Sequence, residues 1–406
     1  MNLKSISAPL KKNAMLVVLV AVYVGFVLFT LFDGTPDNNI FSPANTAELI
    51  NQNAYVFILG TGMMMCMLTG GNIDLSCGAF VCLLGAIGGV LMSPPSAKDG
   101  PNPDTLGLSA PVSIAIMLLI GLAYGVLLGY LIAYVRIPPW IATLVGYLAF
   151  RGLGTQILAV FSKTQSLANF PSGFRDLYYG KLWTTPQDVL NWPCFILGIA
   201  AAAGVVLTIF NTRRKRLAKG YEADTVKSAA IKSCISAAAI LYLMTLLSFS
   251  GGIPTVLLWV AGIVLIYSFI TSKTTIGRHF YVVGGNKEAA RLSGVNTRRI
   301  MFLAYLNMAF LTSIVTMVVM SRNTNTYADV GKNFEMDAIS ACVVGGVSAS
   351  GGAGTVLGMV IGATLIGVIN MGMSLVKLDI DIQKVVKGLV LLGAVVFDIL
   401  SKKKNK

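Results

Sequence analysis

The stretch GGNIDLSCG, residues 70–78, separates two long apolar runs and places an aspartate between them. The runs are AYVFILGTGMMMCMLT, residues 54–69, and AFVCLLGAIGGVLM, residues 79–92. Glycine disfavours a helix interior by roughly 1 kcal/mol per residue, so Gly70 and Gly71 predict that the first helix ends here. Asp74 or Ser76 can then cap the helix that follows, by accepting free backbone N–H groups. The stretch therefore predicts a broken helix.

The amino-acid composition indicates whether this break lies in water or in a membrane. The chain has 406 residues, of which 55% are hydrophobic and 12% charged, and its mean hydropathy is +0.75. Soluble domains carry roughly 25% charged residues, so residues 1–406 are expected to form one all-α, polytopic transmembrane domain of about ten to twelve helices, broken or re-entrant segments included. Runs of about 20 apolar residues predict spans near 14–32, 49–69, 76–92, 111–135, 140–160, 192–210, 234–250, 254–271, 301–320, 355–375 and 382–400. The apolar piece 338–349 is too short to cross alone.

The basic residues have an uneven distribution along this pattern of spans. If the amino terminus is inside, the cytoplasmic segments hold 21 of the 31 Lys and Arg residues and the outward loops hold 8. This is the positive-inside bias of membrane proteins. It predicts that both termini are cytoplasmic, and it accounts for the net charge of +14 without a nucleic-acid partner.

The sequence lacks the residue patterns of common catalytic, metal-binding and phosphate-binding sites. His279 is the single histidine and has no partners for a catalytic triad or a metal site. No segment fits the phosphate-binding pattern G-x-x-x-x-G-K-[ST]. We therefore expect no enzyme activity and no cofactor in this chain, and any ATP must be bound by another subunit.

The charge of Asp74 is energetically unfavourable at membrane depth. A charged side chain at the bilayer centre costs at least ~2.5–3.5 kcal/mol, so it must face protein or water. Broken backbone at that depth is tolerated only where it packs in protein or lines a water-filled cavity. Two interpretations stay open, in which Asp74 is only a cap or also faces a transport path.

A second break lies in CVVGGVSASGGAGTVLGMVIGATLIG, residues 342–367. The pair Gly345 and Gly346 precedes small polar residues, and the pair Gly351 and Gly352 opens a long apolar helix. We expect the short piece 338–349 to enter the membrane and turn back at these glycines. Paired broken segments in distant halves indicate an internal repeat around a translocation path, while close packing of helices through small residues is the alternative.

The cytoplasmic stretch TTIGRHFYVVGGNKEAARLSGVNTRRI, residues 274–300, predicts a helix of about two turns. Asn286 is its expected N-cap, Glu288 suits the positive helix end, and Gly294 suits the C′ position. A helix this short is not stable alone in water. One interpretation is that its small and apolar positions enter a groove on a partner; these are Ala289, Ala290, Leu292 and Val295. The other is a solvated basic loop.

Three stretches together resemble one family. GGNIDLSCG, GRHFYVVGGNKEAARLSGVN and MDAISACVVGGVSASGGAGTVLGMVIG are similar to the signature segments of permease subunits of bacterial monosaccharide-uptake ABC transporters, the ribose, xylose and galactoside kind. With KGLVLLGAVVFD, residues 387–398, the similarity covers most of residues 45–400. The third and last stretches look closest to galactoside permeases, which favours a galactose- or glucose-type sugar. An apparent extra helical hairpin at 192–250 departs from the family pattern but is similar to multiple-monosaccharide permeases.

This resemblance implies that the chain is one subunit of a transporter complex in the bacterial inner membrane, surrounded by membrane lipid. A sugar-binding protein delivers substrate from outside, a second permease copy forms a homodimer, and separate ATPase subunits hold ATP and Mg. The loop 272–300 would dock on the ATPase. The residues implied in this coupling are Gly277, Arg278, Gly284, Gly285, Asn286, Glu288, Ala289, Ala290, Arg291, Leu292, Ser293 and Gly294.

The translocation path is expected along the breaks and along other polar positions in the spans. Arg151 is included because it lies within the run 140–160, although a long basic side chain there can instead snorkel to the membrane face. The candidates are Asn51, Gln52, Asn53, Gly70, Gly71, Asp74, Ser76, Arg151, Gly345, Gly346, Ser348, Gly351 and Gly352.

The main rival is an ion-coupled secondary transporter of a small polar solute, in which Asp74 carries a proton or helps to bind sodium. Such a transporter needs acids inside the membrane. Apart from Asp74, the one acid within an apolar run is Asp398, close to the inner end of the last run.

Overall fold

The computed structural model describes Leu19 and residues 22–27, 42–95, 104–186, 189–221 and 225–404. The expected first span, 14–32, lies mostly outside these residues. The described regular structure is helical apart from four strands of two or three residues, which confirms the predicted helical bundle.

The helices, in chain order, are α1 (Pro43–Leu68), α2 (Cys77–Met92), α3 (Ala110–Ala133), α4 (Pro139–Phe161), α5 (Ser172–Tyr179), α6 (Trp192–Ala218), α7 (Val226–Phe249), α8 (Thr255–Lys273), α9 (Thr275–Gly285), α10 (Lys287–Leu292), α11 (Thr297–Asn323), α12 (Phe334–Val344), α13 (Val356–Leu375) and α14 (Ile380–Lys404). The strands are β1 (Ser166–Ala168), β2 (Lys181–Leu182), β3 (Ile253–Pro254) and β4 (Asn325–Tyr327). β1 pairs antiparallel with β4, and β2 with β3. Both pairs tie loops together on the side that the charge bias assigns to the outside.

Seven of the described helices are long and apolar enough to cross a membrane, namely α3, α4, α6, α7, α8, α11 and α13, and α2 is a shorter apolar helix. The expected spans at 49–69 and 382–400 also coincide with helices, α1 and α14. The chain is therefore a multi-pass membrane protein, as predicted.

The helices form an inner and an outer shell. In α11 and α13 most of the apolar window is buried, 72% and 67%, whereas in α4 and α6 only 11% and 17% is buried. The outer helices expose large apolar side chains such as Val145 and Ile196, which suits hydrocarbon as their solvent. Small residues bring the inner helices together: a Cβ atom on Gly125 of α3 would lie 3.0 Å from Leu306 Cα of α11. Such close backbone approach is typical of membrane helices.

Residues 192–250 form α6 and α7, which pack against each other. Asn191 caps α6 by accepting the Cys194 N–H at 3.0 Å, and its own carbonyl accepts from Ser248 Oγ of α7 at 2.9 Å. The hairpin is thereby pinned at its outward end, and its turn carries the basic residues at the other end.

The second predicted break separates α12 from α13. α12 has 11 residues, about 16 Å at 1.5 Å per residue, half of a bilayer core. After a turn at 345–355, α13 runs back beside α12, and a Cβ atom on Gly362 would lie 2.7 Å from the Gly345 nitrogen. The short helix begins earlier than the expected 338–349, because its first turn contains Glu335 and Asp337, which the hydropathy pattern placed outside the apolar piece.

Candidate functional site

The two glycine breaks meet at one point in the structure. A Cβ atom on Gly351 would lie 2.5 Å from Gly70 Cα, and one on Gly71 would lie 3.0 Å from the Ala349 carbonyl carbon. Gly71 and Gly351 also have φ of +74° and +86°, values that other residues rarely adopt. Side chains are therefore excluded from this contact by space and by backbone conformation.

The end of α9 reaches the same point. A Cβ atom on Gly284 would lie 2.6 Å from the Gly352 nitrogen, and the Gly352 N–H donates to the Leu68 carbonyl at 3.2 Å. Next to it, Tyr281 Oη donates to the Gly354 carbonyl at 3.0 Å. Burial raises the pKa of the Tyr281 phenol, which keeps it a protonated donor. We call the set Gly70, Gly71, Gly284, Gly351 and Gly352 the glycine junction.

Asp74 sits at the entry to α2 and is 1% exposed. Its Oδ1 accepts the Ser76 N–H at 2.8 Å and also the Ser76 hydroxyl, which lies 2.6 Å from Tyr124 Oη. Tyr124 is nine residues from the inner end of α3, about 14 Å along the helix. Asp74 therefore lies at membrane depth and is packed in protein. Asp74 thus accepts the N–H of Ser76, the N-cap residue of α2, rather than an N–H of the first turn, and the Ser76 side chain makes no capping bond. The predicted side-chain cap is therefore replaced by a turn that Asp74 closes just before the helix.

A polar outer cleft of about 290 Å³ opens at the other end of α1. This is close to the lower limit of small-molecule sites, ~300–1,000 Å³. Asn51, Gln52 and Asn53 line it, together with Asn370 of α13. Asn370 Nδ2 donates to Asn53 Oδ1 at 3.2 Å, while Asn51 Oδ1 and Asn370 Oδ1 are buried without a hydrogen-bond partner among the described residues. Because both oxygens are buried, a ligand that brings hydroxyl donors reaches these unused acceptors only after the surrounding side chains move.

The charges around the outer cleft are mostly paired. Arg322 of α11 lies 3.3 Å from Glu48, and Lys387 of α14 lies 3.0 Å from Asp337, which also accepts from the Tyr55 hydroxyl. The paired charges favour a neutral polar ligand over an ion. The cleft residues Arg322, Asn370 and Lys387 were not among the predicted path residues. Asn370 and Lys387 each place a polar side chain inside an apolar run, and this was the signal in the sequence that could have found them.

An inner cleft of about 570 Å³ lies at the end of α1 that the charge bias assigns to the cytoplasm. Thr69, Gly70 and Asn72 of the first break form one wall, and Lys287 and Glu288 of α10 form another. From residue 51 to residue 69 α1 rises about 27 Å, nearly the ~30 Å of a bilayer core. Residues 58–68 of α1 and its C-cap Thr69 are all buried, so the direct route between the two clefts along α1 is closed.

The cytoplasmic loop has the predicted caps. Asn286 Oδ1 accepts the Ala289 N–H at 2.9 Å, and Gly294 has φ of +81°. The predicted docking face needs a correction, because Ala290 is fully buried whereas Leu292 is 84% exposed. Two turns of helix are too few for periodicity to decide which small residue packs inward. The outward face of α10 consists of Lys287, Glu288, Ala289, Arg291 and Leu292, all exposed.

Arg151 braces the loop beside the outer cleft. Its Nη1 donates to the Ala328 and Val330 carbonyls at 3.1 and 2.8 Å, so protein groups hold the guanidinium. Arg151 does not line the outer cleft, but it holds Val330, which does.

Two acids that the sequence analysis did not place in the membrane are buried: Glu335 and Asp337 are 3% and 2% exposed. Burial in the fold thus gives Asp74 acidic companions outside the apolar runs, which hydropathy alone does not reveal. Among the residues described, no group of three His, Cys, Asp or Glu side chains could hold a metal ion.

The remaining predicted path residues have other places. Gly345, Gly346 and Ser348 form the turn after α12, where the Ser348 N–H donates to the Ala353 carbonyl at 2.8 Å. They line neither cleft, nor does Asp74. The structure thus places Asn51, Gln52 and Asn53 at the outer cleft and Gly70 at the inner cleft. Gly71, Gly345, Gly351 and Gly352 are closely packed, whereas Gly346 serves the turn through its positive φ and has no atom near its added Cβ.

Comparisons with known proteins identify the family of the chain. Residues 45–395 match the family described as branched-chain amino acid transport system, permease component. The chain is 32% identical to a xylose transport system permease protein of Haemophilus influenzae over 97% of its own length and 99% of that protein's. It is 28% identical to a ribose import permease of Escherichia coli K12, with 89% and 87% covered, and 26% identical to a galactose/methyl galactoside import permease of Haemophilus influenzae, with 98% and 96% covered. No solved structure matches the chain.

Proposed function

This chain belongs to the permease-component family of branched-chain amino acid transport systems, and on that premise we propose that it carries a monosaccharide inward as the membrane subunit of an ATP-driven importer. It is a multi-pass protein of the bacterial inner membrane, and its relatives are permease components of sugar importers. The observation that carries the proposal is the glycine junction. There the loop expected to meet an ATPase touches both breaks through backbone atoms.

The junction supports a mechanism of rigid coupling. An ATPase that binds the exposed face of α10 displaces α9, and Gly284 transfers that displacement to Leu68 and Gly352 without a flexible side chain between them. α1 and the pair α12–α13 then move as packed bodies. Because α1 links the outer and inner clefts, its displacement would open them in alternation.

The substrate is proposed from the outer cleft. Unpaired amide oxygens and paired charges suit a neutral molecule rich in hydroxyl groups, as monosaccharides are. The closing motifs favour a galactose- or glucose-type sugar. The higher identities to the xylose and ribose permeases favour a pentose.

Three partners complete the proposed importer. They are an ATPase subunit that holds ATP and Mg, a sugar-binding protein on the outside, and a second copy of this chain. The absence of a phosphate-binding loop in the sequence supports the first, and the family membership supports all three.

The test is copurification followed by transport. The tagged chain is isolated in mild detergent from its own bacterium, copurified proteins are identified, and the complex is placed in liposomes. We expect an ATPase to copurify and labelled xylose, ribose or galactose, but not leucine, to be taken up only with ATP. Uptake driven by a proton or sodium gradient without ATP would instead establish the ion-coupled rival.

A further inference from the structure

The inner end of the hairpin α6–α7 holds two clefts whose described lining residues include cations and no carboxylate. The larger, about 730 Å³, is lined by Thr212, Lys215, Arg216, Lys219, Tyr221 and Lys273. The smaller, about 310 Å³, shares Thr212 and Arg216 with it and is also lined by Lys232 of α7. The cations of the larger cleft come from two separate parts of the chain, the end of α6 and the end of α8.

The charge of this region exceeds what its own acids can neutralise. Residues 211–233 contain seven Lys and Arg residues and two acids, Glu222 and Asp224, for a formal net charge of +5. Both acids lie outside the described residues. Even if each neutralises one cation, the turn stays strongly positive.

The helices that carry these clefts are apolar on their outer surfaces. Leu207 of α6, Ile235 of α7 and Ile266 of α8 are 62%, 66% and 57% exposed, as expected for side chains in contact with acyl chains. The cations begin where this apolar surface ends. Tyr221 is 66% exposed beside them, and tyrosine is enriched at the level of lipid headgroups.

We infer that these clefts bind the headgroup phosphate of an anionic phospholipid in the inner leaflet. Basic clefts between helices on the cytoplasmic side are suited to acidic headgroups. The guanidinium of Arg216, which both clefts share, can form two parallel hydrogen bonds to one phosphate. The acyl chains of the same lipid then lie along the apolar faces of α6 and α8. One lipid molecule therefore contacts both the basic clefts and the apolar helix faces next to them.

The experiment measures lipid retention by the intact chain. Wild-type protein and the variant Arg216→Gln/Lys219→Gln are purified from vesicles of phosphatidylglycerol and phosphatidylethanolamine, and bound lipid is counted by native mass spectrometry. The matched control is Arg214→Gln/Lys227→Gln, which removes the same charge from the same hairpin at positions that line neither cleft. At about 1 kcal/mol per cation, the cleft variant should bind phosphatidylglycerol roughly thirtyfold more weakly, and the control should resemble wild type.

Further measurements distinguish a specific lipid site from general attraction to the membrane, from a free anion and from a protein contact. Arg216→Lys/Lys219→Arg keeps the charge and should retain the lipid, and an unchanged melting temperature of Arg216→Gln/Lys219→Gln excludes misfolding as the cause of its loss. Equal lipid loss in the cleft and control variants would show only general attraction to the membrane and would overturn the site. Stabilisation of the detergent-purified protein by inorganic phosphate, with no further gain from phosphatidylglycerol, would overturn it in favour of a free anion. Unchanged lipid retention with lost ATPase copurification would overturn it in favour of a protein contact.

Discussion

The N–H of Gly352 donates to the carbonyl of Leu68 at 3.2 Å, which joins the second break of the chain to the end of the helix before the first. The two residues are 284 positions apart, and Gly284 packs against both. A movement of the cytoplasmic loop must therefore displace one break or the other.

Gly351→Ala should damage this junction. The added Cβ atom would lie 2.5 Å from Gly70 Cα, at a φ of +86°, so left-handed strain of roughly 1–2 kcal/mol adds to overpacking of about 1–3 kcal/mol. We expect a lower melting temperature and loss of ATP-driven uptake.

Gly346→Ala is the matched control for Gly351→Ala, since Gly346 has φ of +81° and no atom within 4 Å of its added Cβ. It should show the backbone strain alone and keep most uptake. Equal effects of both changes on uptake would show that the contact with Gly70 does not transmit motion.

Asp74→Asn should keep the fold and most of the transport. The asparagine Oδ1 can accept the Ser76 N–H and hydroxyl as the carboxylate does. Asp74→Leu leaves these buried donors unsatisfied, at about 1–3 kcal/mol each, and should lower both the melting temperature and uptake. If Asp74→Asn instead abolishes uptake in a folded protein, the negative charge itself is needed and the ion-coupled rival gains.

Asn51→Leu tests the outer cleft. Asn51 Oδ1 has no partner in the described protein, so its removal should leave stability nearly unchanged. A lost hydrogen bond to sugar, about 1 kcal/mol, should lower the rate of sugar uptake about fivefold.

Thr61→Val provides the control for Asn51→Leu. Thr61 is a buried polar residue of the same helix, and it lines neither cleft. Its hydroxyl donates to the Phe57 carbonyl one turn earlier in α1. Its change should leave uptake at the wild-type rate. Equal uptake by wild type and Asn51→Leu would remove Asn51 from the path.

The sequence allowed the local features of this site to be predicted, but few of its long-range contacts. The break at Gly70 and Gly71 and the Asn286 cap follow from residue preferences that act within one or two turns. The meeting of Gly70 with Gly351 depends on how distant helices pack, and no local pattern encodes it. The pair Lys387 and Asp337 escaped notice for a related reason, because hydropathy treats each charge alone and the two are joined only in the fold.

The inward position of Ala290 changes how the docking helix should be tested. Ala290→Asp would place a charge in a fully buried position, where an unpaired charge is strongly destabilising. We expect it to lower the melting temperature, so any loss of coupling would report on folding rather than on contact with an ATPase.

Leu292→Asp is the sharper test, because Leu292 is 84% exposed and the α10 fold does not depend on it. If an ATPase groove covers this side chain, an aspartate there loses its hydration without gaining a partner. ATPase copurification and sugar uptake should both fall while the melting temperature stays unchanged. Leu106→Asp, at a 58% exposed apolar position in an outward loop, should affect neither. Normal copurification and normal uptake with Leu292→Asp would show that α10 is not the element that meets the ATPase.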